Sequence, residues 1–188
     1  MPDGSLMGRQ TSYELITLPN VVTFGRLCAV PLAFWAVLEH RFAIAFFLFV
    51  GAGISDAIDG WLARRFGGNA LGAVLDPMAD KALLVTMYVT LATVGVLPVW
   101  LAILVVFRDI VIVGGVLLLA VTGQPVSIRP LFVSKLNTLA QIILVALALF
   151  LSGFGPEMPL LKEGLIWVVV ATTLGSGAAY VWNAARPR

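Results

Sequence analysis

The sequence predicts an all-α polytopic membrane protein: six transmembrane helices preceded by a short N-terminal interfacial helix. Three observations lead there. Of 188 residues, 60% are hydrophobic and 12% charged, with a mean hydropathy of +1.01; soluble domains carry about twice that charged share. Six apolar runs follow one another at 21–38, 42–62, 71–97, 99–121, 131–151 and 165–182, each long enough to cross a hydrocarbon core at about 1.5 Å per residue. Polar, Gly and Pro punctuation separates them: Glu39-His40-Arg41, Arg65 to Asn69, Gly95 with Pro98, Thr122 to Pro130, and Gly153 to Gly164.

Residues 1–10 are polar and contain glycine, without the apolar core of a signal peptide or the Arg/Ser richness of a transit peptide. An uncleaved cytoplasmic lead-in and a bacterial inner membrane are expected. Tyr13, Leu15 and Ile16 mixed with Glu14 predict the interfacial helix, and Pro19 suits the first turn of the next one. Residues 1–19 are thus lead-in and interfacial helix, 20–184 the six-helix bundle, and 1–188 one membrane domain, since no connection is long enough to hold another. Six spans put both termini on one side, with Arg9, Arg64, Arg65, Arg129, Lys135, Arg186 and Arg188, against Arg41 and Lys162 on the other. The positive-inside bias makes the termini cytoplasmic. Trp35, Trp61, Trp100, Trp167 and Trp182 fall mostly near span ends, as interfacial anchors do.

Composition excludes several functions. With 12 Lys+Arg against 10 Asp+Glu, no polybasic stripe is available for nucleic-acid phosphates. The lone Cys28 cannot build a disulfide framework or a Cys/His zinc site, and His40, between Glu39 and Arg41, reads as a surface residue.

The charges inside the spans are the informative feature. Asp56, Asp59, Asp76, Asp80 and Lys81 lie within or at the edge of apolar runs, where an unpartnered ionisable group costs at least about 2.5 kcal/mol. On a helix, Asp56, Asp59, Gly60 and Ala63 share one stripe, and Gly72, Asp76 and Asp80 make a matching one on the next helix. The short connection predicts antiparallel neighbours whose four carboxylates converge just inside the cytoplasmic face. Such a cluster is tolerable when cations occupy it or protons neutralise it, and hard oxygen donors without His or Cys favour Mg²⁺ or Mn²⁺. Small residues beside the carboxylates leave room for a base or a pyrophosphate, and two metals can bridge a diphosphate. Pairing of the acids with Lys81, Arg64 or Arg108 is the bland alternative, and an intramembrane cation or proton carrier the rival of another class. A carrier gives no reason for Gly60, Ala63 and Arg64.

The run Asp56-Ala-Ile-Asp59-Gly60-Trp-Leu-Ala63-Arg64, then Gly72, Asp76 and Asp80, resembles the CDP-alcohol phosphotransferase pattern D-x2-D-G-x2-A-R-x7/8-G-x3-D-x3-D at every fixed position. The segment from Leu18 to Arg26 resembles that family's first helix. Arg108-Asp109, the run Ser134-Lys135-Leu136-Asn137-Thr138 with Gln141, and Thr172, Thr173, Ala178, Ala179 and Tyr180 are most similar to CMP-forming cardiolipin synthases. Phosphatidylglycerolphosphate synthases usually carry a second lysine where Asn137 stands.

The resemblance implies transfer of a phosphatidyl group from CDP-diacylglycerol to an alcohol with release of CMP. The acceptor expected is phosphatidylglycerol, giving cardiolipin, with glycerol 3-phosphate as the alternative; a homodimer among membrane lipids is implied too. Asp56, Asp59, Asp76 and Asp80 would be ligands of two Mg²⁺ or Mn²⁺ ions, and Asp80 the general base. Asn20, Thr23, Arg26, Gly60, Ala63, Arg64 and Gly72 would contact the nucleotide and CDP-lipid, and Arg108, Arg129 and Lys135 the acceptor. Arg129 and Lys135 as snorkelling anchors, and Arg108 as a buried interhelical bridge, are the structural alternatives. Arg108 and Asp109, as helix neighbours, are not expected to face each other. Gly114, Gly115, Gly175 and Gly177 are expected to permit close helix approach.

Overall fold

A computed structural model describes residues 18–66, 70–121, 132–155 and 158–185, with side-chain detail at 25, 28–55, 58, 80–115, 132–155 and 158–179. Among these residues every regular element is a helix: α1 (Leu18–Leu38), α2 (Phe42–Phe66), α3 (Ala70–Thr93), α4 (Val99–Val121), α5 (Phe132–Phe154) and α6 (Pro159–Ala185). The expected interfacial helix at 11–17 lies outside the described residues. Phe132–Phe154 and Pro159–Ala179 are long and apolar enough to cross a membrane, and Cys28–Leu38 and Phe42–Ser55 are shorter apolar stretches. Large apolar side chains face outward, as Ile103, Phe107 and Ile110 do on α4 at 63–64% exposure, which suits a lipid surround better than water.

The helix ends follow local chemistry. After α1, His40 takes a left-handed φ of 55° and the Arg41 N–H bonds to the Ala36 carbonyl at 2.8 Å, a Schellman-type stop usually given to glycine. Arg41 then caps α2 through its carbonyl, which accepts from the Ala45 N–H at 3.1 Å. The same stop ends α3 at Thr93, four residues earlier than its apolar run predicts: Gly95 has φ 77° and the Val96 N–H reaches the Leu91 carbonyl at 2.9 Å. Leu97 is apolar because it packs into the core at 2% exposure, not because it is helical. α6 starts six residues before its predicted run, with Pro159 in its first turn and the Met158 carbonyl capping it. Gly153 and Gly164, read as punctuation, lie inside α5 and α6; a single glycine costs a helix only about 1 kcal/mol.

Helix contacts close into a circuit: α1 on α2, α2 on α5, α5 on α6, α6 on α4, α4 on α3 and α3 back on α1, with α3 and α5 also meeting across the middle. One apolar cluster fills it, with Met87, Tyr88, Leu91, Leu101, Leu144 and Leu149 fully buried. The seam between α5 and α2 is tight at one place. A Cβ built on Gly153 would fall 2.7 Å from the Ala43 nitrogen, so only glycine fits this approach. Gly114, Gly115 and Gly177 have open space at the Cβ position, and Gly175 meets only the Val133 side chain at 3.9 Å. The expectation that those four mediate close approach is therefore corrected, because they face away from neighbouring backbone.

Candidate functional site

The acidic pattern falls on two helices as its spacing requires. Asp56, Asp59, Gly60, Ala63 and Arg64 lie in the last three turns of α2, and Gly72, Asp76 and Asp80 in the first half of α3, so each set repeats along one helix face. The side chains of Asp56, Asp59, Asp76, Arg64, Asn20, Thr23 and Arg26, and the surroundings of Gly60, Ala63 and Gly72, lie outside the described residues, as does Arg129. Asp80 is half-buried and engaged with a partner. Among the described residues no group of three metal-binding side chains occurs. The four-carboxylate donor set itself consists of hard oxygens, which fits Mg²⁺ or Mn²⁺ and not zinc.

Beside these helices the bundle encloses a polar network that spacing alone does not reveal. The Arg108 guanidinium is 6% exposed. Nη1 donates to Asp109 Oδ1 at 2.7 Å, and Nη2 donates to Ser134 Oγ on α5 at 2.7 Å and Ser176 Oγ on α6 at 2.5 Å. Asp109 also accepts from α3, where Lys81 Nζ approaches Oδ2 at 2.8 Å. Arg108 thus joins α4 to α5 and α6, as its structural alternative foresaw. The expectation that it and Asp109 do not face each other is overturned: the long, flexible arginine stem folds round the helix circumference, which Cβ directions do not show. Lys81 pairs with α4 here.

One turn further along α5, Asn137 is fully buried. Its Oδ1 accepts from the Thr172 and Thr173 hydroxyls of α6, both at 2.9 Å. Gln141, a turn beyond, is buried too, and its carbonyl accepts from the Tyr88 hydroxyl at 3.4 Å. Three donors in this region have no partner: Arg108 Nε, Asn137 Nδ2 and Gln141 Nε2. Buried donors left unpaired cost about 1–3 kcal/mol each, so they mark places where oxygen-bearing guests or water are favoured. Lys135, next to Ser134, is exposed. Sequence reasoning missed Ser176, which sits one turn after Thr173 on the same α6 face; that spacing was the available signal.

A separate apolar cleft of about 270 Å³ opens between α1 and α2, lined by Gly25, Ala29, Phe47, Gly51, Ala52 and Ser55. Among the described residues its lining reaches Ser55, the sequence neighbour of Asp56. Gly25 and Gly51 leave it open, with nothing within 4 Å of a Cβ at either.

Comparison with known proteins defines the class. The sequence profile of CDP-alcohol phosphatidyltransferases matches residues 16–175. A cardiolipin synthase (CMP-forming) / mitochondrial hydrolase fusion protein of Schizosaccharomyces pombe is 34% identical over 92% of this chain and 32% of its own length. The cardiolipin synthase (CMP-forming) of Rattus norvegicus is 30% identical over 89% of this chain and 61% of its own. A CDP-diacylglycerol–glycerol-3-phosphate 3-phosphatidyltransferase of Bacillus subtilis is 31% identical over 88% and 94% respectively. The chain spans from about a third to three-fifths of the length of the first two relatives. It belongs to the CDP-alcohol phosphatidyltransferase family, whose members generally depend on a divalent metal.

Proposed function

We propose that this protein transfers the phosphatidyl group of CDP-diacylglycerol to phosphatidylglycerol, forming cardiolipin and CMP. The observation that carries the acceptor is the buried network itself. Arg108, Ser134, Asn137, Thr172 and Thr173, the positions most similar to CMP-forming cardiolipin synthases, come together in it from three helices. The S. pombe and rat relatives support the same choice. Glycerol 3-phosphate is the second candidate, favoured by the Bacillus relative, 94% of whose length is matched.

In this assignment Asp56, Asp59, Asp76 and Asp80 would hold two Mg²⁺ or Mn²⁺ ions, and a divalent ion held by them would offset the charge of the pyrophosphate and of departing CMP. Asp80 takes the proton of the acceptor hydroxyl as its oxygen attacks the phosphorus bearing diacylglycerol. The new P–O bond replaces the pyrophosphate P–O bond, and CMP leaves. Gly60, Ala63 and Gly72 give the nucleotide access to helix backbone, with Asn20, Thr23, Arg26 and Arg64 steadying it. Arg108, Arg129 and Lys135 face the acceptor, and the cleft between α1 and α2 receives one donor acyl chain.

The protein works as one domain in a bacterial inner membrane, as a homodimer, with all six helices spanning and the termini and site cytoplasmic. The opposite end of the bundle supports that orientation. There the segments at 39–41, 94–98 and 155–164 carry only Arg41 and Lys162 as cations, the scarcity expected away from the cytoplasm, and Arg41 stacks over Trp35 at 5.5 Å. The deciding experiment supplies purified protein with CDP-diacylglycerol, Mg²⁺ or Mn²⁺, and either phosphatidylglycerol or glycerol 3-phosphate. Cardiolipin with stoichiometric CMP is expected; product from glycerol 3-phosphate alone defeats the acceptor assignment, and no CMP release defeats the enzyme assignment.

A further inference from the structure

Lys81 stands next to Asp80 on α3, and its side chain is bonded to another helix. Lys81 Nζ approaches Asp109 Oδ2 of α4 at 2.8 Å, and the other oxygen of that carboxylate accepts from Arg108 Nη1 at 2.7 Å. Arg108 is itself held by Ser134 of α5 and Ser176 of α6. The Asp109 side chain is 11% exposed, so these partners, and not water, set its direction. α3 is thereby fastened, at the level of Asp80, to a point that three other helices define. Two turns further on, Tyr88 donates to the Gln141 carbonyl of α5, and Leu84, Met87 and Leu91 are buried nearby. Apolar burial is non-directional, so that packing holds α3 in the bundle but fixes its rotation less sharply than a hydrogen-bonded ion pair, which weakens as its angles open.

We infer that Asp109 is a positioning residue for the transfer reaction: through Lys81 it sets the rotation of α3 about its axis and so aims the carboxylate of Asp80. The inference rests on the role proposed above for Asp80 and specifies what holds that residue in place. Successive side chains on a helix diverge by about 100°, so fixing Lys81 on α4 fixes the direction in which Asp80 leaves the helix, and Asp76, one turn earlier on the same stripe, turns with it. A rotation of about 10° carries an oxygen about 6 Å from the axis through about 1 Å. That is more than Mg²⁺ tolerates, since its oxygen ligands stand at about 2.1 Å in near-ideal octahedral geometry, and a misplacement of about 1 Å costs a reaction about 10²-fold. Asp80 is also engaged with a partner of its own. That partner acts on the carboxylate, whereas Asp109 acts on the helix that carries it.

The test measures Mn²⁺ binding to the purified protein in detergent micelles, read from the EPR signal of the free ion, beside kcat and KM for CDP-diacylglycerol at saturating Mn²⁺. Asp109→Asn keeps the shape of the side chain and loses the ion pair; it should weaken Mn²⁺ binding and lower kcat, each about 10–100-fold, with a smaller change in KM. Lys81→Met, at a position 47% exposed, is the deciding variant, and it stands alone if Asp109→Asn fails to fold. Charge and geometry push it in opposite directions: removing a cation beside acidic ligands tightens Mn²⁺ binding through Coulomb attraction, whereas losing the link to α4 weakens it. Weaker binding is expected, about equal to that of Asp109→Asn, with the double variant no worse than either single one and Lys81→Arg, which keeps the pair, recovering most of the loss. Unchanged or tighter Mn²⁺ binding in Lys81→Met, additive losses in the double variant, or a lowered melting temperature with Mn²⁺ affinity intact overturns this inference alone. Wild-type protein that neither binds Mn²⁺ nor releases CMP overturns the role of Asp80 and this inference together.

Discussion

The α2–α3 half and the α4–α6 half of the bundle carry polar groups on largely apolar helices in opposite ways. On α2 and α3 the acids repeat at intervals of three and four along single helices, so the helical repeat alone gathers them. On α4, α5 and α6 each polar group depends on another helix: Arg108 meets Ser134 and Ser176, 26 and 68 residues away, and Asn137 meets Thr172 and Thr173, 35 and 36 residues away. The first arrangement concentrates like charge and calls for an outside cation. The second is almost satisfied internally and ties the helices together. Loss of one group should therefore read out mainly in turnover on α2 and α3, and in stability as well on α4 to α6.

Substitutions can break or sharpen that contrast. The largest effect is expected at Asp80→Asn, which should lower turnover by about 10²–10⁴-fold while the melting temperature in detergent changes little. An unfolded Asp80→Asn protein would remove the contrast, and near-normal turnover would remove Asp80 as the base. Arg108→Ala works on the other half. It leaves the Asp109 carboxylate with Lys81 alone and two serines without their partner, and should cost about 3 kcal/mol of stability, read by thermal unfolding, with Arg108→Lys recovering only part because an ammonium cannot span the three acceptors. Gly153→Ala tests the seam joining the halves. The added methyl collides with Ala43 backbone, so α2 and α5 must part, at about 2 kcal/mol, whereas Gly114→Ala, with open space at its Cβ, should be neutral or slightly stabilising. The smallest effect belongs to Thr173→Val, which removes one of the two bonds on Asn137 Oδ1 and should cost about 1 kcal/mol.

Much of the fold was legible because the helical period and a lipid environment constrain sequence strongly. Six apolar runs became six helices, and Pro19 and Pro159 stand in first turns. Errors arose where hydropathy was used to set boundaries. Leu97 is apolar through core packing beyond the Gly95 stop, and the first turns of α6 are helical despite Lys162 and Glu163. His40 is exposed, as its neighbours Glu39 and Arg41 suggest, and it also shapes the α1–α2 turn by holding a left-handed backbone and packs its ring against Phe42 at 5.6 Å.

The sequence by itself determined the helical class, the membrane-like composition and the acidic pattern, since each depends on residue type and near neighbours along one helix. Only the tertiary structure decided that Lys81 bonds to Asp109, that Arg108 is clasped by two serines, and that Gly153, among the described glycines, stands at a close crossing. Those facts depend on which helices touch and how far a side chain reaches, and a one-dimensional pattern does not contain these distances.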